Sequence, residues 1–152
     1  MKPVLPAPPN RPSVDRVRMI RRSIRCFVFG AVGAVPLFGL GTAFLALRLQ
    51  RELARESGVP ARAPWMDGSS VIAFALMLFF LCLDEAGLVL ATGFLLCGLQ
   101  GYLLFRQYRR TDPTDWNPAR NLACWGAGLA YTGLNLSATI IVLGIWSAIH
   151  KD

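Results

Sequence analysis

The residues able to do chemistry are few and scattered. Asp84 and Glu85 are the only acids in the otherwise apolar stretch from Gly68 to Phe105. A carboxylate pair held inside hydrocarbon is by default a proton or cation site, because burying such a charge is costly. The same pair at a turn on the membrane surface is solvated and inert. The lone histidine, His150, has no Ser or Cys nucleophile paired with it, so no acid–base or nucleophilic set assembles. Cys26, Cys82, Cys97 and Cys124 stand far apart, without the clustered spacing of a metal site or a disulfide framework. Thiols in apolar runs act first as small hydrophobes. No Gly-Lys-Ser/Thr follows the glycines, which excludes a phosphate loop. These absences predict a non-catalytic protein with no metal and no cofactor.

The composition says where such a chain would live. Of 152 residues, 54% are hydrophobic and only 16% charged, with a mean hydropathy of +0.44. Soluble domains carry about 25% charge, enough to cover their surface. The charges here cluster between long apolar runs, as in a small integral membrane protein. The net charge is +7, and 14 of the 16 basic residues are Arg. Because the arginines flank apolar runs, they fit lipid headgroups and not nucleic acid. Abundant Arg, Ala, Gly and Leu point to a GC-rich bacterial genome, hence to a bacterial cytoplasmic (inner) membrane.

Several elements must then position these residues. Residues 1–12 hold five prolines and read as a disordered tail. Ser13 is a helix N-cap for an interfacial helix over 13–25, with Val14, Val17, Ile20 and Ile24 on one face. Arg16, Arg18, Arg21, Arg22 and Arg25 fill much of the rest and are placed to snorkel toward lipid phosphates. Each would contribute up to roughly 1 kcal/mol near an anionic leaflet. Arg21-Arg22 also resembles a twin-arginine export signal, but the later apolar runs would hold the product in the membrane regardless.

The first apolar run, 26–47, has no charge in 22 residues, and about 20 suffice to span. Pro36 lies at its middle, followed by Gly39 and Gly41. Two shapes fit: one kinked span, or a re-entrant hairpin turning at Pro36-Leu37-Phe38-Gly39. The kinked span is preferred, because irregular backbone at membrane depth needs protein or water around it. The second run would be about 57 Å long as a single helix, against about 30 Å of hydrocarbon. It divides into spans over 69–83 and 86–105, turning at Asp84-Glu85-Ala86-Gly87. The third run, 122–149, is one long tilted span. Trp65 and Trp116 precede apolar runs, where interfacial aromatics belong.

The expected architecture is all-α: a polytopic transmembrane helical bundle of four spans with a kinked first span. Shifting the chain by 58 positions aligns Arg48 with Arg106, Arg51 with Arg109, and Pro60-Ala61-Arg62 with Pro118-Ala119-Arg120. This suggests a duplicated unit of span, Arg-rich linker and span. In the four-span arrangement Arg48, Arg51, Arg55, Arg62, Arg106, Arg109, Arg110 and Arg120 share one side. Arg11, Arg16, Arg18, Arg21, Arg22, Arg25 and Lys151 share the other, a balance that selects no orientation. A re-entrant first run would instead place every Arg cluster in the cytoplasm.

Small residues recur at helical spacing. Gly93, Cys97 and Gly101 form one stripe, and Gly126 with Ala130 and Gly133 with Ser137 form another. Gly30 with Ala34 and Gly39 with Ala43 do the same in the first run. Such stripes let helix backbones approach closely, within the chain or between copies. Asn135, polar within the third run, is expected to find an interhelical partner. The segments GAVGAVPLFGLGTAFLALRL and NPARNLACWGAGLAYTGL resemble a loose group of small uncharacterised Gly-rich bacterial membrane proteins. The likeness covers a third of the chain and implies a membrane location without implying an activity. The functional expectation is a scaffold, assembly or accessory subunit that contacts lipid, itself or other membrane proteins through its helices. The alternative is a small oligomeric transporter or channel component that uses Asp84 and Glu85.

Overall fold

The computed structural model describes residues 16–57, 64–110 and 118–150. The Pro-rich tail, the Ser13 cap, the first Pro-Ala-Arg triplet and Trp116 lie outside them. Five helices and no strand occur among the described residues: α1 (Arg16–Gly33), α2 (Leu40–Ser57), α3 (Pro64–Cys82), α4 (Ala86–Arg110) and α5 (Pro118–Ile149). The chain is all-α. Three helices, over Trp65–Cys82, Ala86–Arg106 and Ala119–Ile149, are long and apolar enough to cross a membrane.

The expectation of a fourth, kinked span over 26–47 is corrected. That run forms no single helix; it ends α1 at Gly33 and restarts as α2 at Leu40. The two arms lie antiparallel, with Arg22 bonded to Glu56 and the Cys26 thiol 3.3 Å from the Ala46 carbonyl. A Cβ on Gly33 would lie 2.8 Å from the Ala43 Cα, so only glycine allows this approach.

The turn between the arms leaves no amide unsatisfied. Ala34 and Val35 donate to Gly30 and Val32, Phe38 to Pro36, and Gly39 to Val35. Pro36 has no N–H to place. The Leu37 N–H crosses to α5, where Ser137 Oγ accepts it at 2.8 Å. The bond from Phe38 back to Pro36 closes a γ-turn centred on Leu37, whose φ is 68°. That is the rarer, strained kind of γ-turn. For a leucine the left-handed region costs roughly 1–2 kcal/mol. Unpaired backbone is what disfavours a hairpin at membrane depth, and here α5 pairs the Leu37 amide.

The order of the contacts places the ends. α1 runs parallel to α5, with Gly30 on Gly126, Gly33 on Gly133 and Leu37 on Ser137. α3 also runs parallel to α5, through Asp67 with Tyr131, Ser70 with Asn135, and Asp84 with Trp146. α4 is antiparallel to α5, through Gln100 with Asn135 and Arg120 over the Tyr108 ring. The start of α1, the end of α2, the end of α4 and the start of α5 therefore share one end of the bundle. The α3–α4 turn and the end of α5 share the other. The hairpin turn reaches Ser137, about 13 Å short of the level of Trp146 at 1.5 Å per residue. The suggested duplication is not mirrored in packing: α4 and α5 are close neighbours, whereas α2 and α3 do not pack on each other.

Replacing Ser137 with Ala removes the acceptor of the part-buried Leu37 amide, and should lower unfolding free energy in detergent by about 1–3 kcal/mol. Thr132 makes only a bond to its own helix, at Gly128. Thr132→Ala should change stability by less than about 0.5 kcal/mol. Equal effects from the two substitutions would mean that the Leu37 bond carries no weight.

Candidate functional site

Polar side chains inside the bundle form two joined clusters at the level of the first turns of α3. Gln100 of α4, fully buried, aims its amide at α3. Its Nε2 lies 2.9 Å from Ser70 Oγ, 3.0 Å from Ser69 Oγ and 3.1 Å from the Met66 carbonyl. Two amide hydrogens face three acceptors, so two are served at a time. Its Oε1 accepts from Asn135 Nδ2 at 2.7 Å. Asn135 thus finds the interhelical partner that its position calls for. The network ties three helices at one level through part-buried and buried polar bonds.

The second cluster lies one turn toward the start of α3. Asp67, in that helix's first turn, accepts from Tyr131 Oη and from Arg51 Nη2, both at 2.7 Å. The helix N-terminus favours its charge. Asp67 thereby links α2, α3 and α5. Arg51 and Asp67 keep 56% and 38% of their side-chain surface exposed, so in water the pair would be worth under about 1 kcal/mol.

The acidic pair from the sequence stands elsewhere. Asp84 and Glu85 are exposed in the turn between α3 and α4. Asp84 takes φ 62°, which an aspartate tolerates at a turn. It accepts from Trp146 Nε1 at 2.6 Å and lies 3.0 Å from His150 Nε2, and the two rings stack at 4.9 Å. The Glu85 carbonyl receives the first amides of α4. The pair closes a turn and clamps it to the end of α5.

The small-residue stripes divide. Gly126, Ala130, Gly133 and Ser137 are buried against α1 and its turn, where a Cβ on Gly126 would lie 2.5 Å from the Cys26 carbonyl. Gly93 is buried against Thr139 of α5, and Cys97 beside it is half-buried. Gly101 departs from the expected intramolecular seam: it is exposed, and a Cβ there would meet nothing within 4 Å. The third stripe position borders a gap between α4 and α5 instead of a packed seam. Among the basic residues of α1, Arg18, Arg21 and Arg25 are exposed and Arg22 pairs with Glu56; Arg16 opens the helix.

Two concavities flank α5. One, of about 330 Å³, lies between α4 and α5 over Gly101 and Gly128, with Leu104, Phe105, Trp125 and Leu129 along it. The other, of about 880 Å³, lies between α2 and α3 and is floored by α5 at Tyr131, Leu134, Asn135 and Ala138. Sequence reasoning missed Gln100, Ser69, Ser70, Asp67 and Tyr131 as one site. A signal was present: Gln100 is the only amide of its run, and Tyr131 and Asn135 stand four apart, on one helix face. Among the described residues no group of His, Cys, Asp and Glu gathers that could hold a metal. The chain matches no protein-family model, no curated protein and no solved structure.

The Gln100–Asn135 bond is measurable by a double-mutant cycle. Asn135→Leu should destabilise the purified protein by about 1–3 kcal/mol, because it strands a buried amide oxygen. The double change with Gln100→Leu should recover part of that loss, with a coupling of about 0.5–2 kcal/mol. Strict additivity of the two changes would show that the side chains act independently.

Proposed function

We propose that the chain is a multi-pass protein of a bacterial cytoplasmic membrane, and that it works as a non-catalytic scaffold or accessory subunit through helix contacts. In this reading α3, α4 and α5 span, while α1 and α2 enter and leave on one side as a re-entrant hairpin. The tip of the hairpin supports it: Val35, Leu37 and Phe38 are exposed, Phe38 at 93%, an arrangement suited to lipid and poorly suited to water. The charges support an orientation. Arg18, Arg21, Arg22, Arg25, Arg48, Arg51, Arg55, Arg106 and Arg120 all lie toward one end, and Asp84, Glu85 and His150 toward the other. The positive-inside rule makes the Arg-rich end cytoplasmic. Every cluster of arginine then has the cytoplasmic leaflet beside it, with the basic first turns of α1 at the headgroups.

One observation carries the scaffold reading: the groove between α4 and α5, with glycines at positions 101 and 128 and an apolar lining. A small residue that faces open space, as Gly101 does, is suited to close approach by another helix. The polar groups deeper in the bundle are already bonded to one another across helices, and Asp84 is engaged at the surface turn. That arrangement favours a contact protein over an ion path.

Crosslinking in native membranes should trap one specific adduct, either a second copy or one other membrane protein. Gly101→Leu, which fills the groove, should abolish the adduct while leaving thermal stability unchanged or slightly raised. An adduct indifferent to Gly101→Leu, or no adduct at all, would remove this groove as the contact surface.

A further inference from the structure

The groove between α2 and α3 is sorted along its length. Arg51 bonds Asp67 across it, which sets an antiparallel register. In that register Arg48 and Leu47 stand opposite Ser70 and Val71, and Phe44 stands opposite Phe74. Arg48, Arg51 and Arg55 recur at helical spacing, so the outer part of the α2 wall is a ladder of guanidinium groups. Toward the hairpin tip the walls become Phe44, Val71 and Phe74, and the floor Leu134 and Ala138. The distance from Arg55 to Phe44 along α2 is about 16 Å at 1.5 Å per residue. The volume, about 880 Å³, suits a ligand of substantial size.

Charge narrows the occupant. The lining holds three arginines against Glu52 and Asp67, a net charge of +1. Arg48 pairs with Glu52 at 3.3 Å in an exposed geometry, which an anion of better fit can displace. Guanidinium matches phosphate with two parallel hydrogen bonds. The apolar half of the groove opens sideways between two helices that do not pack together, so a chain can enter from the bilayer. We infer that this groove binds one anionic phospholipid of the cytoplasmic leaflet, its phosphate held by Arg48, Arg51 and Arg55 and an acyl chain laid between Phe44 and Phe74. The inference rests on the proposed membrane placement and goes beyond the scaffold role. Basic pockets between membrane helices on the cytoplasmic side are suited to such headgroups. The bound lipid fills the gap that α2 and α3 leave, and ties the hairpin to the first span.

The test uses the full chain, purified in detergent and stripped of lipid. Phosphatidylglycerol should raise the melting temperature by several degrees. Phosphatidylcholine and glycerol phosphate, at equal concentration, should not. Arg48→Gln with Arg55→Gln leaves the Arg51–Asp67 bond in place and should weaken the response at least tenfold. Arg18→Gln with Arg21→Gln removes equal charge outside the groove and should preserve it. Val71→Trp keeps every charge, blocks the apolar half and should also abolish the response. This second variant decides the matter if the arginine double mutant does not fold. Equal stabilisation by phosphatidylcholine or by glycerol phosphate would overturn the inference. So would equal loss in the α1 control, or a full response in Val71→Trp. Failure of the membrane placement itself would register separately, as water accessibility of the hairpin tip in the bilayer.

Discussion

A peptide amide left unpaired in hydrocarbon costs several kcal/mol, and in the proposed re-entrant placement the turn at 34–39 would face that penalty with a proline at its centre. The chain solves it by placing Ser137 of α5 within 2.8 Å of the Leu37 N–H. Much else in the bundle follows from that one bond. The hairpin can reach Ser137 only if α1 lies backbone-close to α5. That closeness requires Gly30 on one side, and Gly126 and Gly133 on the other. The returning arm needs Ala43 and Ala46 to fold back on α1, and Cys26 fits at the meeting of all three helices. Dispersion contacts over these flat faces replace the hydrophobic drive that is absent between helices in lipid.

The other half of the bundle is held by a different device. Gln100, Asn135, Ser69 and Ser70 join α3, α4 and α5 by polar bonds at one level, and Asp67 extends the connection to α2 through Arg51. Small-residue contact fixes the hairpin, and polar bonding fixes the spans. α5 carries both faces, which accounts for its alternation of Gly, Ala and Ser with Tyr, Asn and Thr. The groove between α2 and α3 lies where these two halves fail to meet.

Much of this was legible in the sequence, and the rest was hidden for identifiable reasons. Hydropathy and length gave the helical class, the turn at Asp84-Glu85 and the long α5. Asn135 marked itself as an interhelical bond by its polarity in an apolar run. The fate of the first run was not legible. Pro36 with Gly39 fits a kink and a turn equally, and the choice depends on a hydroxyl 100 residues away. Gly101 looked equivalent to Gly93 by spacing, yet Gly93 meets Thr139 of α5 while Gly101 borders an open groove beside Gly128, and spacing alone does not report where two packed helices leave a gap. The groove was invisible because it is made by the absence of packing between two helices that are adjacent in the chain.

In the proposed placement the first run enters and leaves on one side, with its tip inside the bilayer. A nitroxide attached at Phe38→Cys, in a background free of the four native cysteines and reconstituted into vesicles, measures the depth of the tip directly. A re-entrant tip gives strong collision with dissolved oxygen and almost none with a water-soluble nickel chelate, as for a label well inside the hydrocarbon. Free collision with the chelate would contradict it, whether the chelate acts from the Arg-rich side or from the side of Glu85.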